Sequence, residues 1–473
     1  MQVLNWHPTR PIIVSALIIL SVFGWLLLEI PQGILSQSGD EMLTAERSRE
    51  MLLLGRSAVH FNFEPSFEKP PLQYWLTTLT LSRFANKTLA VRIWPWFYGL
   101  LTAIAAGWLA RLIEPERPWA APLSITLLCA CPLFATDASR GLLDTGLAFF
   151  TTIGIAFAQV ARKQPQWWAG VALASWMASL QKIPLTFLIW LLIVAVRWWT
   201  ERRQLRTRWL WGSLLAAIVA MALWPAYQLL AYHIPWHRLF NQEVVDHLGP
   251  ERLGANPFLE IPYRLVVTSA IGLFLLLAPI AILTWKRARF TPASIELSIV
   301  CLVLLGLEVL SNFRNVRYVE AILPVLCILL AVVLHRCWEQ GRAFRTAATA
   351  LIAIILIAGL VQTELQIRYR RKNLGDEKQV AEELGRLQRD GVGIVLVKAI
   401  KVGSDLHFGS FYLFHGGLRF PITKCTVDQI RESPPRPPLI GVCVERDFPV
   451  VQSAYPAVQT QFTQAQFIVW RVE

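Results

Sequence analysis

From its amino end the chain alternates long apolar runs with short breaks marked by charge or proline. The runs lie near residues 11–30, 89–110, 119–136, 141–160, 167–181, 183–197, 209–231, 265–285, 294–311, 318–335 and 346–363. A hydrocarbon core of about 30 Å calls for about 20 mostly apolar residues per helix, with all backbone hydrogen bonds made inside the helix. The pattern predicts an α-helical polytopic membrane protein with about 11 transmembrane helices. The fifth and sixth runs are short, with only Gln181 and Lys182 between them. The first follows Arg10 but is too long for a secretory signal, and no small-residue cleavage site follows it, so it reads as a retained helix.

Beyond residue 364 the pattern changes. Asp376 to Arg389 reads as a helix, Gly393 to Val397 as a strand, Phe408 to Phe414 as a short helix, and Pro438 to Val444 and Phe467 to Val472 as strands. With breaks at Gly391, Gly416 and Pro434 to Pro438, this predicts a small C-terminal α/β domain. The expected division is a transmembrane domain over 1–363, with a large first outer loop at 31–88, and an α/β domain over 364–473.

Composition agrees with lipid as solvent: 55% of residues are hydrophobic, 16% are charged and 20 are tryptophan. A net charge of +13 would suggest nucleic acid in a soluble chain. Here Lys and Arg gather in short loops, at Arg197 to Arg208, Lys286 to Arg289 and Arg336 to Arg345, as cytoplasmic loops do, so no nucleic-acid partner is expected. Arg10, Arg111, Arg117, Arg162 and Lys163 fall on that same side. The amino terminus is then cytoplasmic, and an odd number of spans places the tail outside with the loops 31–88, 232–264 and 312–317. The seven cysteines form no CxxC pair or zinc pattern; Cys425 and Cys443 in the tail leave a disulfide open.

The candidate chemistry concentrates in the first outer loop. Ser38-Gly39-Asp40-Glu41 opens a charged helical stretch running through Arg49 and Glu50 to Leu54. Ser38 with Glu41 has capping-box spacing, and acids near a helix start are favoured by its dipole, so Asp40 can be a helix-terminus device. In Phe67-Glu68-Lys69-Pro70-Pro71-Leu72, the prolines stiffen the backbone and hold Lys69 in an extended segment ahead of a helix over 72–81. Such an ammonium suits a lipid phosphate, and a lysine snorkelling to anionic lipid fits the same residues. Arg140 and Asp144, four apart on one helical face, read as a functional pair or as an ion pair holding the bundle; Lys182 reads as a functional charge or a helix end. The loop 232–264 carries His233, His237, Glu243, Asp246, His247, Glu251 and Arg252. A divalent metal with His247 and Glu68 among its ligands is admitted, although no pair matches a strong metal signature, and no cofactor is otherwise expected. Arg317 and Tyr318 precede an apolar run, where Arg can grip phosphate and where Arg and Tyr also anchor helices at the interface.

Asp40-Glu41, then Arg49-Glu50-Met51, then Phe67 to Trp75 and Arg92 resemble, in order and spacing, the bacterial aminoarabinose transferases of lipid A. More broadly they resemble the protein-mannosyltransferase branch of the GT-C membrane glycosyltransferases. The resemblance is strongest over residues 30–100, extends to Asp144 and Arg317-Tyr318, and elsewhere concerns architecture. It implies an inverting transfer of a monosaccharide from a polyprenyl-phosphate donor to a lipid A-like or other envelope acceptor, at the outer face of the bacterial inner membrane. On that analogy Asp40, with Glu41, takes the acceptor's proton or positions the acceptor. Lys69, Arg252, Arg317 and Tyr318 hold the donor phosphate, and Glu68, Arg92 and Asp144 line the cavity. An ionised phosphate leaving group needs cations rather than a proton donor, so one carboxylate base with Lys and Arg suffices. Two departures bear on the donor sugar and the acceptor: Leu43-Thr44 stands where the family commonly has Arg-Tyr, and Gly55-Arg56-Ser57 where Gly-Asp-Trp is frequent. The competing classes are a lipid flippase, which would show internal repeats that this chain lacks, and an assembly subunit whose tail recruits a partner.

Overall fold

The structure is a computed structural model, and it describes residues 10–35, 40–233, 291–310, 316–339, 342–370, 375–398 and 405–473. In chain order the elements are α1 (Arg10–Glu29), α2 (Asp40–Leu54), β1 (His60–Phe61), β2 (Glu64–Pro65), α3 (Leu72–Leu81), α4 (Lys87–Ile113), α5 (Ala120–Cys129) and α6 (Pro132–Asp137). They continue with α7 (Asp144–Val160), α8 (Trp168–Gln181), α9 (Leu185–Thr200), α10 (Arg208–Tyr232), α11 (Pro292–Leu310), a 3-10 segment (Val316–Ile322), α12 (Leu323–Glu339) and α13 (Arg342–Arg370). Among the described residues, four helices are long and apolar enough to cross a membrane: Arg10–Glu29, Lys87–Ile113, Arg208–Tyr232 and Val319–Arg336. The run expected at 265–285 lies outside the described residues.

The chain divides into two compact units. Unit 1 comprises residues 1–30, 67–73 and 92–367; unit 2 comprises 31–66, 74–91 and 368–473. Unit 2 thus joins most of the first loop to the tail, whereas the division expected from the sequence leaves that loop with the membrane part.

Unit 1 is a helical bundle whose core runs from Phe23 and Leu26 through Phe134, Trp168 and Trp190 to Leu323, Ile328 and Ile355. Trp168 stacks on Trp190 with ring centroids 5.8 Å apart. The run 119–136 does not make one helix, because Pro132 disfavours helical backbone at Cys131, which is extended, and starts α6 afresh. Some charges read as loop charges are structural. Arg197, fully buried, grips Glu296 with Nε–Oε2 2.7 Å and Nη2–Oε1 3.0 Å, and Arg162 reaches the same carboxylate at 2.8 Å. Arg336 pairs with buried Glu114 at 2.9 Å. Breaking such a pair from one side costs about 3–5 kcal/mol, because a lone charge is left in a medium that cannot solvate it.

In unit 2 the tail adds α14 (Gly375–Leu387), β3 (Gly393–Lys398), α15 (Asp405–Gly416), β4 (Ile422–Thr426), α16 (Val427–Glu432), β5 (Leu439–Val444), α17 (Phe448–Ala454), β6 (Gln459–Gln464) and β7 (Phe467–Val472). The strands form one sheet in the order β4-β3-β5-β7-β6, parallel among the first three and antiparallel across β5-β7 and β7-β6. The expected α/β character holds, with β4 and β6 added to the strands read from the sequence. These two are the sheet's edges and are more polar, which weakens the apolar signal. β3 lies between β4 and β5, so Cys425 and Cys443 stand two strands apart and both thiols are free.

The first loop completes the core of this unit. Leu35, Met42, Ala45, Leu81, Ala90 and Val91 share one apolar cluster with Val380, Leu384, Phe411, Leu413 and Val469. Polar ties reinforce it. Arg49 donates to the Leu418 carbonyl at 2.9 Å, and Asn62 pairs with Ile422 twice, accepting from its N–H at 2.8 Å and donating to its carbonyl at 3.0 Å.

Candidate active site

Two sets of called residues fall in different units. Asp40 and Glu41 belong to unit 2; Glu68, Lys69, Arg92, Asp144, Arg317 and Tyr318 belong to unit 1. Arg252 and His247 lie outside the described residues, as does Ser38, so the capping box expected at Ser38 and Glu41 falls on an undescribed partner.

In unit 2, Asp40 is the first residue of α2 and half-buried, and Glu41 follows it with 1% exposure. Acidic residues in a first turn face the positive end of the helix dipole. The helix is held by buried charge: Glu46 takes Arg49 bidentately at 2.7 and 2.6 Å, and Glu50 accepts the backbone N–H groups of Asn62 and Phe63, both at 2.8 Å. Arg47, buried, donates to the Tyr74 hydroxyl at 3.1 Å. Asp40 therefore stands at the end of a helix whose next turns are fixed from several sides.

In unit 1, Glu68 and Lys69 occupy a bend just ahead of α3, both half-buried, and Pro71 is buried where the helix begins. The expected helix over 72–81 is present, and the segment carrying Lys69 bends ahead of it instead of running extended. Gln73, four residues on, is fully buried and accepts from Gln181 Nε2 at 3.2 Å, while the same amide donates to the Leu143 carbonyl at 3.0 Å. A side chain at Gly146 would displace the Gln181 amide from this bridge. This bridge ties the Lys69 segment to the start of α7, where Asp144 is the first residue.

Asp144 does not pair with Arg140. The helix breaks between them, with α6 ending at Asp137 and α7 starting at Asp144, so the four-residue spacing does not put them on one helical face. Arg140 instead faces Asp137 at 3.8 Å, and Asp144 takes Lys182 at 2.5 Å. Lys182, at the C-terminal cap of α8, is both a helix end and the counter-ion of Asp144. The 3-10 segment bearing Arg317 and Tyr318 also bears Glu320, whose Oε1 accepts from the Thr145 hydroxyl at 3.2 Å. Arg317 is half-buried, and the Tyr318 side chain lies outside the described residues. Arg92 reaches the Ile30 carbonyl at 3.4 Å. Unit 1 therefore gathers the Lys69 segment, Asp144, Lys182 and the Arg317 segment around the start of α7. Among the described residues, no three His, Cys, Asp or Glu side chains come together as a metal site.

Sequence reasoning passed over Asp137, Gln181 and Glu320. Glu320 carried a usable signal, an acid near the head of an apolar run, where an ionisable group is costly. Gln181 carried none, because an amide between two short runs looks like a simple break.

Residues 45–244 match the family described as dolichyl-phosphate-mannose-protein mannosyltransferase. An undecaprenyl phosphate-α-4-amino-4-deoxy-L-arabinose arabinosyl transferase of Erwinia tasmaniensis is 30% identical over 219 residues, covering 44% of this chain and 39% of that protein. The arabinosyl transferase 2 of Pseudomonas fluorescens Pf-5 is 26% identical over 344 residues, covering 69% of this chain and 58% of that protein. These matches span less than two thirds of the relatives' own lengths. In fold, the chain is similar to the crystal structure of ArnT from Cupriavidus metallidurans bound to undecaprenyl phosphate, with a TM-score of 0.74, 17% identity and 97% of each chain covered.

Proposed function

We propose that this chain, aminoarabinose-transferase-like in sequence and in fold, is an inverting glycosyltransferase that moves a monosaccharide from a polyprenyl-phosphate donor to a lipid A-like or other envelope acceptor. The observation that carries the reading is the fold shared along almost the whole chain with a protein crystallised with undecaprenyl phosphate. The reaction belongs to the outer face of the inner membrane, with about eleven spans, a cytoplasmic amino terminus and a periplasmic tail.

In this reading Asp40, assisted by Glu41, takes the proton of the acceptor hydroxyl as that oxygen attacks the anomeric carbon from the side opposite the phosphate. The bond from carbon to phosphate oxygen breaks, and the departing polyprenyl phosphate is already anionic. Its developing charge is met by Lys69, Arg252, Arg317 and the Tyr318 hydroxyl, which act by electrostatic stabilisation rather than by giving up a proton. Glu68, Arg92 and Asp144 line the cavity. The Asp144 to Lys182 pair and the Gln181 bridge support this by tying elements that carry these residues to the start of α7. If a divalent metal takes part, Glu68 and His247 are the residues to hold it.

The test is transfer by the purified protein from an undecaprenyl-phosphate sugar to lipid A, followed by mass spectrometry of the product. Asp40→Asn and Lys69→Ala should each lower turnover at least about 100-fold, since each removes a group acting in the transition state. Unchanged turnover in both variants would sink the site assignment, and movement of labelled lipid with no covalent product would favour a flippase.

A further inference from the structure

Glu320 is fully buried at the head of an apolar helix, a place where an acid is costly unless its hydrogen bonds are completed. Its Oε1 accepts from Thr145, the residue after Asp144. Asp137, at the end of α6, is a second buried acid, and α6 packs against the 3-10 segment that bears Glu320. Glu320 Oε2 and Asp137 Oδ2 are both buried without a hydrogen-bond partner among the described residues. A hydrogen carried on Glu320 and shared with the Asp137 carboxyl would satisfy both of these oxygens. Beside it, Ala321 packs with Leu147 of α7 and Ala178 of α8. In a 3-10 segment residues three apart eclipse one another, so Arg317 and Glu320 stand on one edge.

We infer that Glu320 is a positioning residue, pinning the 3-10 segment that bears Arg317 and Tyr318 to the ends of α6 and α7 and so setting where those two groups meet the donor phosphate. The inference rests on the reading of Arg317 and Tyr318 as donor-phosphate ligands. It requires hydrogen bonding at Glu320, and the negative charge is dispensable. An amide, which both donates and accepts, should therefore replace it.

The full-length protein in lipid nanodiscs provides the test, with three readouts for each variant: the Kd for undecaprenyl phosphate, the donor KM and kcat, and the melting temperature. Glu320→Ala should raise Kd and KM by about tenfold or more, because a shift of about 1 Å in a charged ligand is costly. Glu320→Gln should stay within about threefold of the wild type, and Thr145→Val should shift Kd in the same direction as Glu320→Ala by a smaller factor. The inference is overturned if Glu320→Gln is as impaired as Glu320→Ala, or if Glu320→Ala lowers only the melting temperature. Should Glu320→Ala fail to fold, an unchanged Kd in Thr145→Val overturns it equally. A wild-type protein that binds undecaprenyl phosphate but transfers no sugar would end the transferase reading and leave this inference to be decided by affinity. One that does not bind at all would end both.

Discussion

Two buried acids of unit 1 are neutralised by partners far away in the chain. Asp144 meets Lys182 and Glu296 meets Arg197, although Arg140 is closer in sequence to Asp144. At the same scale, unit 2 holds a proton-sensitive residue. Burial, with the Lys378 ammonium adding to it and a hydrogen bond donated to the Leu35 backbone opposing, pushes the His415 imidazole down to about 4. The folded state therefore prefers neutral His415, while the unfolded chain protonates it near pH 6.5. The stabilisation is complete above about pH 6.5 and is lost as pH falls toward 4, amounting to about 3 kcal/mol across that window. Corrected for the pH dependence of the intrinsic rate, hydrogen exchange of residues 405–416 should accelerate between pH 7 and pH 5 in the wild type. In His415→Gln the acceleration should be much weaker; an equal response would assign it to other groups.

Among the elements, the β1-β2 hairpin shows how a poor local sequence is held by its surroundings. Its two turn residues, Asn62 and Phe63, have φ values of +55° and +66°. Asn accepts that conformation readily, whereas a phenylalanine there is strained. The Glu50 carboxylate takes both turn N–H groups, and Asn62 binds both backbone groups of Ile422 on β4. Asn62→Ala should lower stability by about 2 kcal/mol, combining lost hydrogen bonds with backbone strain. Phe63→Gly should relieve strain at its site, offset by the loss of ring packing. Thermal melts would check both, with faster exchange at residues 422–426 expected for Asn62→Ala alone. The helix 72–81 and the strand Phe467–Val472 were plain in the sequence because each carries its own apolar pattern and turn signals. The break between α5 and α6 was not, since the apolar run 119–136 continues through it and only Pro132 marks a change.

For the whole molecule, the joining of loop and tail changes what a truncation would mean. Met42 and Ala45 of α2 are fully buried in a cluster with Val380, Leu384 and Phe411, so removing 368–473 would expose the inner face of the helix that bears Asp40. Uncovering several such side chains costs about 1.5–3 kcal/mol each. The truncated chain should lose transfer activity, and α2 should become sensitive to protease. Retained activity with an intact α2 would show that the tail is separable and restore a recruitment role for it.

By itself the sequence determined the long apolar helices and the α/β character of the tail, and it nominated the candidate site residues. Run length, alternation and motif spacing are local properties that follow from solvent and backbone geometry. Only the tertiary structure decided that the first loop shares a core with a tail more than 300 residues away, that Asp144 answers to Lys182, and that Glu320 stands against Thr145. Those outcomes are set by which buried charges and apolar faces find complements across the fold, and complementarity between distant segments leaves no mark on the local pattern.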